Sequence, residues 1–463
     1  MGNFSSSAEV FSWLSRFINL ESGVIKRIPK TYRLDRMEIL AELAGHPECC
    51  APSIHIAGSK GKGSVTGMIA SILEADGRRA ARYMSPHILD FRERICLGNS
   101  FFDEEVYCAA ADILYDIAEN KVPALNHRLF DPSGEEGEAL TFFELLTLYF
   151  FLCARTGGCD SMVIETGLGG RLDSTNIVNP LVSVITLIEL EHTAILGDTI
   201  PAVAGEKAGI IKPNKPLILA RQSPEALEVF RERATEKNSP LFYFPDIAAV
   251  EDVWVHLNGT DFTMTFNSDS PLPKAALPPP HSPLPFSIPI PGTVQAENAG
   301  LAVAAVKTAF PGIADNAIRR GLERVKIPAR FEKVLDTPLL IIDGAHTPES
   351  ALPCAETFCS LYGRNGILLF GCAADKNAAA MAELLLPRFS QIIITAVGAF
   401  KLSDPEKVYR AFASDKTSCI KDTREAIMQA LEWGRKKNMP ILCTGSFYLA
   451  SEVKGYVNEM KLP

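Results

Sequence analysis

Ten consecutive residues, His55-Ile56-Ala57-Gly58-Ser59-Lys60-Gly61-Lys62-Gly63-Ser64, carry the densest chemistry in the chain. Glycines let a backbone bend until successive N–H groups converge on phosphate oxygens. Lys62 can reach the outer phosphates, and Ser64 can offer its hydroxyl to Mg²⁺. The apolar run that follows predicts a helix from about Val65 to Ala75, whose positive end would face the anion. The spelling departs from the common G-x-x-x-x-G-K-[ST] loop. Ile56 stands where the first glycine would be, and Gly63 separates Lys62 from Ser64. A plain glycine-rich turn with a solvated lysine is the competing reading. The order strand, loop, helix favours a nucleoside triphosphate, ATP with magnesium.

Three more segments place chemistry at predicted strand ends, where ligands gather in parallel α/β sheets. Glu165 closes the strand Ser161 to Glu165 and enters Thr166-Gly167-Leu168-Gly169-Gly170-Arg171-Leu172-Asp173-Ser174-Thr175-Asn176. It is placed like the acidic residue of phosphate-loop enzymes; Arg171 could contact an anion and Asp173 orient it. The strand Leu181 to Leu187 runs into Ile188-Glu189-Leu190-Glu191-His192, where a neutral imidazole beside carboxylates is a candidate metal ligand. Asp343-Gly344-Ala345-His346 follows a later strand. Lys207 sits in Gly205-Glu206-Lys207-Ala208-Gly209-Ile210-Ile211-Lys212 on an otherwise apolar helix. It could bind phosphate, be carbamylated into a metal ligand, or snorkel to the surface. Arg330 stands at a break in the pattern, where residues can reach across a closing cleft.

The elements that must position these groups alternate. Phe11 to Leu20 and Leu34 to Ala44 read as amphipathic helices, and Ala139 to Ala154 as a buried one. Leu217 to Ala220 is a further short buried strand, with helices at Asp103 to Glu119 and Ala202 to Ile211. This predicts a doubly wound α/β domain. Val253 to Phe266 alternates around an Asn258-Gly259 hairpin signal. Pro271 to Pro291 is too rich in proline for a helix or a central strand and reads as an extended surface excursion. Helices follow at Val294 to Phe310 and Ile313 to Val325. Ile327-Pro328-Ala329 breaks the pattern, and strands return at Leu339 to Asp343, Gly366 to Phe370, Gln391 to Ala396 and Ile441 to Thr444. The expected organisation is a phosphate-loop NTPase-like doubly wound domain over 1–327 and a smaller, Rossmann-like α/β domain over 328–463.

Bulk properties narrow the classes. A net charge of −9 over 463 residues argues against a nucleic-acid platform, which needs a basic face. Eleven cysteines, scattered and without a Cys-x-x-Cys pair, outline neither a disulfide framework nor a zinc site, so a reducing cytoplasm is expected. No signal peptide or membrane-spanning stretch is legible. Met1-Gly2-Asn3-Phe4-Ser5-Ser6 fits a loose myristoylation pattern, but no polybasic segment follows, and a frayed polar terminus is the expectation.

Together these segments resemble the folylpolyglutamate synthase and dihydrofolate synthase family of the Mur-ligase superfamily. The family loop G-T-N-G-K-G-S corresponds to Gly58 through Ser64. E-x-G-x-G-G-R-x-D-x-T-N matches Glu165 to Asn176 without a gap. D-H-x-x-x-L-G is similar to Glu191 through Gly197, E-K-A-G-I matches Glu206 to Ile210, H-Q-x-x-N-A looks like Val294 to Ala299, and D-G-A-H-N resembles Asp343 to Thr347. The likeness extends to Thr444-Gly445-Ser446-Phe447-Tyr448. It implies an ATP-dependent amide ligase that adds L-glutamate to a folate or dihydropteroate through an acyl phosphate. Gly58, Ser59, Lys60, Gly61, Lys62, Gly63, Ser64, Gln295, Asn298, Arg330, Asp343 and His346 would surround ATP. Lys62, Glu165, His192 and Lys207 would be catalytic. Ser64, Glu165 and His192 would hold Mg²⁺, with carbamylated Lys207 supporting a second ion. Ser85, Pro86, His87, Phe91, Arg92, Thr141, Phe143 and Glu144, with Arg171 and Asp173, would lie on the substrate side. The implied partners are small molecules only, with no nucleic acid or membrane, and the implied state is a monomer.

This chain departs from the family pattern at four places. Ser59-Lys60 replaces Thr-Asn, Glu191 replaces Asp, Val294 replaces His and Thr347 replaces Asn. None removes an implied metal ligand. The alternatives are a Mur-type ligase for a non-folate carboxylate, a kinase or plain ATPase, and a non-enzymatic binding module.

Overall fold

The structure is a computed structural model that describes residues 2–19, 33–125, 139–267, 270, 272, 282–398 and 401–461. Short apolar runs in the first half form seven strands: β1 (Ser53–Ala57), β2 (Ala80–Tyr83), β3 (Ile95–Leu97), β4 (Ser161–Glu165), β5 (Val182–Ile185), β6 (Leu217–Leu219) and β7 (Leu241–Tyr243). Their order is β3-β2-β4-β1-β5-β6-β7. All neighbours are parallel except β2 and β3. β1 is flanked by β4 and β5, so crossovers leave the middle of the sheet in both directions. That switch point puts the carboxyl ends of β1, β4 and β5 beside one crevice.

Helix Lys62–Ala75 starts inside the phosphate loop, three residues earlier than the sequence reading placed it. It is buried from Gly63 to Leu73 because it lies between the sheet and helices Thr293–Ala309 and Asp315–Arg324. Ser71 Oγ donates to the Gly321 carbonyl at 2.6 Å across that packing. The helix carrying the loop is therefore fixed on every side.

β8 (Ala248–His256), β9 (Gly259–Phe266) and β10 (Leu284–Ile288) form a small antiparallel sheet, with the Asn258-Gly259 turn in place. The proline-rich run needs correcting here. Its part from 271 to 281, Leu272 apart, lies outside the described residues, but β10 is an ordered edge strand. Leu284, Phe286, Ile288 and Ile290 are buried in the same core as the phosphate-loop helix. Alternation lets the strand bury one face, while its edge position tolerates Pro285.

The third sheet contains β11 (Glu332–Asp336), β12 (Leu339–Ile342), β13 (Ile367–Phe370), β14 (Gln391–Ile394), β15 (Thr417–Cys419) and β16 (Ile441–Thr444), ordered β11-β12-β16-β13-β14-β15. Only β11 runs antiparallel to its neighbour. The α/β class with two parallel-sheet lobes stands as expected from the sequence.

The amino terminus is not frayed where it is described. Asn3 N–H donates to Asp112 Oδ1 at 2.6 Å, and the Phe4 ring packs on Trp13 and Tyr115. An aromatic at position 4 outweighs the polar residues around it. All eleven cysteines are free thiols. Among the described residues, no helix is long and apolar enough to cross a membrane.

Candidate functional site

The carboxyl ends of the two large sheets face each other across a cleft of about 810 Å³. On the first wall, Ser59 and Lys60 donate their N–H groups to the Leu187 carbonyl at 2.9 and 3.1 Å, tying the loop to the segment beyond β5. Ser59 Oγ donates to the Glu189 carbonyl at 2.9 Å, and Lys60 Nζ lies 4.0 Å from Glu189 Oε2. Gly58 has φ +146°, and a Cβ there would stand 1.8 Å from Thr186 Oγ1. Gly61 caps the helix at φ +88°, where a Cβ would stand 2.4 Å from Asn298 Oδ1. No side chain among the described residues caps this helix, so its first N–H groups remain directed at the cleft.

Two lysines converge on one carbonyl. Lys62 Nζ and Lys207 Nζ each donate to Gly58 O at 2.8 Å, and Lys207 also donates to Glu191 Oε1 at 2.7 Å. Lys207 is only 1% exposed, so it does not snorkel; it lies beneath the loop rather than on the cleft wall. Burial, and secondarily Lys62, pull its ammonium down to about 8 against the opposing pull of Glu191. For Glu191, burial disfavours the charge, but Lys62, Lys207 and His192 outweigh it and hold the carboxyl at about 2. Glu165 is the reverse case. Burial pushes it up to about 7, although Lys62, the Ser85 N–H and Arg330 favour its charge. Ser85 N–H donates to Glu165 Oε2 at 3.2 Å.

The second wall is held by backbone. Asp343 accepts from the Phe331 and Ala345 N–H groups, both at 2.8 Å. His346 Nδ1 meets the Gly344 carbonyl at 2.8 Å, and burial, with Lys60 and Lys376 nearby, keeps the ring neutral down to about 3. Arg330 stacks over Phe447 at 4.5 Å and bridges the lobes, since a Cβ on Gly63 would stand 3.8 Å from its Nη2. Its neighbours Ala329 and Phe331 both have left-handed backbone, at φ 51° and 46°. Gln295 and Asn298 line the cleft from the first lobe's side, on the helix packed against the phosphate-loop helix, with Asn298 Nδ2 donating to Gln295 Oε1 at 3.2 Å.

The structure divides the substrate-side residues. Ser85, Pro86, Thr141, Phe143, Glu144 and Asp173 line the cleft. Glu144 closes a capping box with Thr141 and pairs with buried Arg36 at 2.7 Å, so its Oε2 is committed to the fold, while its Oε1 has no hydrogen-bond partner among the described residues. His87, Phe91 and Arg92 do not line the cleft. His87 accepts from Arg94 Nε at 2.9 Å and stacks on Phe91, while Arg92 pairs with Asp90 and Glu104. Nor does Asp173 orient Arg171. Arg171 turns outward to Glu206 at 2.8 Å, and Asp173 accepts from Leu168 N–H and from Thr175 N–H and Oγ1. A carboxylate inside a glycine-rich loop is used up by the loop's own donors.

The donor set suits a hard cation. Ser64 Oγ is buried with no hydrogen-bond partner among the described residues, and Glu165 Oε2 lies 3.6 Å from where a Cβ on the adjoining Gly63 would stand. Hydroxyl and carboxylate oxygens beside a phosphate seat are what Mg²⁺ takes, with phosphates and water filling the rest. His192 is exposed at the start of the turn Thr193–Leu196, with φ 47°. Among the described residues no three His, Cys, Asp or Glu side chains could grip a metal by themselves.

Sequence reasoning missed Lys376, Arg33 and Arg36. Lys376 lines the cleft after β13, and its place at a strand's carboxyl end was the available signal. Arg36 has no such signal, because its partners, Glu144 and the Ala139 carbonyl, are distant in the chain.

Residues 329–447 match the family described as Mur ligase, glutamate ligase domain. The chain is 32% identical over 434 residues to folylpolyglutamate synthase of Lacticaseibacillus casei, covering 92% of this chain and 95% of that one. It is 32% identical over 427 residues to dihydrofolate synthase/folylpolyglutamate synthase of Bacillus subtilis, covering 91% and 94%. Among solved structures, Mycobacterium tuberculosis folylpolyglutamate synthase complexed with ADP superposes with a TM-score of 0.81 at 27% identity, over 97% of this chain and 98% of that one. An FPGS-AMPPCP-folate complex superposes with a TM-score of 0.80 at 28% identity, over 98% and 100%.

Proposed function

This chain belongs to the folylpolyglutamate synthase and dihydrofolate synthase family of ATP-dependent ligases, and we propose that it joins L-glutamate to a folate or dihydropteroate carboxylate in the cleft between its two lobes. The observation that supports this most is the pairing of the walls. An uncapped helix end, Lys62, Ser64 and Glu165 face Arg330, Asp343 and His346 from the other sheet.

ATP lies with its phosphates on Gly58 to Ser64 and its remainder against Gln295, Asn298, Arg330, Asp343 and His346. The substrate carboxylate attacks the γ-phosphorus in line and ADP leaves. Lys62 and the loop N–H groups neutralise the charge that builds on the transferring group. The glutamate amino group then attacks the acyl phosphate carbonyl and phosphate departs, so no protein nucleophile is needed. Ser64, Glu165 and His192 would hold Mg²⁺; Lys207 would serve a second ion only once carbamylation had freed it from the Gly58 carbonyl and Glu191. Bound there, magnesium would withdraw charge from the phosphoryl oxygens. Lobe closure, with Arg330 reaching over the loop, would keep water from the acyl phosphate. In this reading the lobes meet at 327/328 and the chain works as a cytoplasmic monomer.

The test is mass spectrometry of products after incubation with ATP, Mg²⁺, glutamate and a mixture of pteroate and folates. The expected product is the pterin acid extended by a glutamyl residue. ADP release that needs no glutamate and yields no extended product would overturn the reading in favour of a kinase or ATPase.

A further inference from the structure

The loop between β2 and β3 belongs to the first lobe by sequence, yet it is anchored in the second. Ile88 is 4% exposed and lies in the apolar cluster of Ala329, Leu340, Leu449, Ala450 and Val453, which is the core of the second lobe. Ser451 Oγ, from helix Phe447–Lys461, donates to the Ile88 carbonyl. Leu89 Cδ2 lies 3.7 Å from where a Cβ on Gly455 of that helix would stand.

The same loop reaches the phosphate site three residues earlier, where the Ser85 N–H holds Glu165. The loop that carries the two anchor points is braced on both sides of them and at His87 between them. Glu93 gathers the N–H groups of Ile88, Leu89 and Asp90 at 2.6, 3.1 and 3.3 Å. Arg94 Nε donates to His87 Nδ1 at 2.9 Å, and Met84 N–H donates to the Arg94 carbonyl at 3.0 Å, closing the neck. A displacement at Ile88 therefore has only Pro86 and His87 to take it up, and His87 is held by Arg94.

We infer that Ile88 is a positioning residue: its seat in the second lobe's core sets, through the braced 85–94 loop, where Ser85 holds Glu165, so docking of the lobes and assembly of the phosphate site are one event. This rests on the ligase reading for its kinetic consequence only; the mechanical link stands on the contacts above. A group displaced by about 1 Å at such a site costs on the order of 100-fold in rate.

The experiment compares Ile88→Ala, Ile88→Val and Ser451→Ala with Leu431→Ala, a cavity in the same core away from the loop. Three quantities are read: kcat for glutamate addition, Kd for ADP, and amide hydrogen exchange of the peptide carrying Ser85. For Ile88→Ala the expectation is a roughly 10- to 100-fold lower kcat, with ADP affinity within about twofold and faster exchange at Ser85. Ile88→Val should restore most of the rate and protection. Leu431→Ala should lower Tm comparably without moving either. Unchanged kcat and Ser85 protection in Ile88→Ala, or equal losses in Leu431→Ala, would overturn the inference. If Ile88→Ala fails to fold, Ser451→Ala decides: increased Ser85 exchange supports the link and unchanged exchange refutes it. If the native chain adds no glutamate at all, the ligase reading falls while the exchange data still judge the link.

Discussion

The two walls of the cleft are built on the same plan and used differently. Each comes from the carboxyl ends of a mostly parallel sheet with one antiparallel edge strand, β3 in the first lobe and β11 in the second. In the first lobe the charges are locked to one another and to backbone: two ammonium groups share the Gly58 carbonyl, and one of them also holds Glu191. In the second, Asp343 is spent on backbone N–H groups, His346 is a neutral ring, and Arg330 lies over the Phe447 ring. Preorganised positive charge stabilises a transferring phosphoryl group because it need not reorganise during reaction. The first wall therefore carries most of the electrostatic work, and the second, which adds Arg330 and Lys376, carries shape and closure.

Removing charge from the first wall should have the largest effect. Lys62→Ala is expected to lower turnover by about 10³-fold or more while leaving Tm near the native value. Near-native product formation would break the assignment of the electrostatic work to this wall. Gly58→Ala comes next. Its new methyl would meet Thr186 Oγ1 at 1.8 Å, so the loop must move off its seat. The expected outcome is a loss of ATP affinity of about 100-fold, measured as KM or by calorimetry, with the sheet intact. Unchanged affinity would mean that the loop backbone does not set the phosphate position.

The same contrast explains what could be read from sequence. The first wall is local: loop, helix and Glu165 each follow a strand whose apolar run is continuous, so the strand Ser161–Glu165 is legible to the residue and Lys62 falls at the head of the helix the loop feeds. Elements made by distant partners were harder. β2 carries Arg82 in a buried strand, so Ala80–Tyr83 has no apolar signature, and β7 and β15 are only three residues each. β10 was hidden by prolines because its edge position is a property of the sheet. Within the site, residues on a shared loop were found, but their orientation was not. Arg171 and Asp173 stand two apart in sequence and face different partners.

Arg330 sharpens the comparison from the second wall. Its guanidinium stacks on Phe447 and approaches Gly63, so it couples shape to charge. Arg330→Ala should lower kcat/KM by about 10- to 100-fold, less than Lys62→Ala. Arg330→Lys should recover only part, since an ammonium keeps the charge but not the planar stacking. An Arg330→Ala defect as deep as that of Lys62→Ala would erase the division of labour between the walls.

The smallest effect concerns one histidine from each lobe, both neutral down to about 3 because burial disfavours the imidazolium. His55 is wholly buried in β1, with Nε2 2.8 Å from Thr175 Oγ1, whereas His346 is partly exposed at the cleft. A histidine with a lowered folded pKa takes up its proton only on unfolding between about 3 and 6.5. Its contribution to stability is complete above about 6.5 and is lost as pH falls, at roughly 1.4 kcal/mol per unit. Glu165 and Glu189, both raised to about 7 mainly by burial, have the opposite sign: the folded state takes their protons first, so stability rises as pH falls through that range. The native pH curve mixes the two, but a difference curve does not. Urea unfolding of the native chain and His55→Asn between pH 7.5 and 5.5 should therefore diverge from parallel by about 1 kcal/mol, with the native chain losing more on the acid side. His346→Asn should diverge by a similar amount, because its ring is held neutral over the same range. Parallel curves for His55→Asn would show that the first lobe's core admits the imidazolium after all.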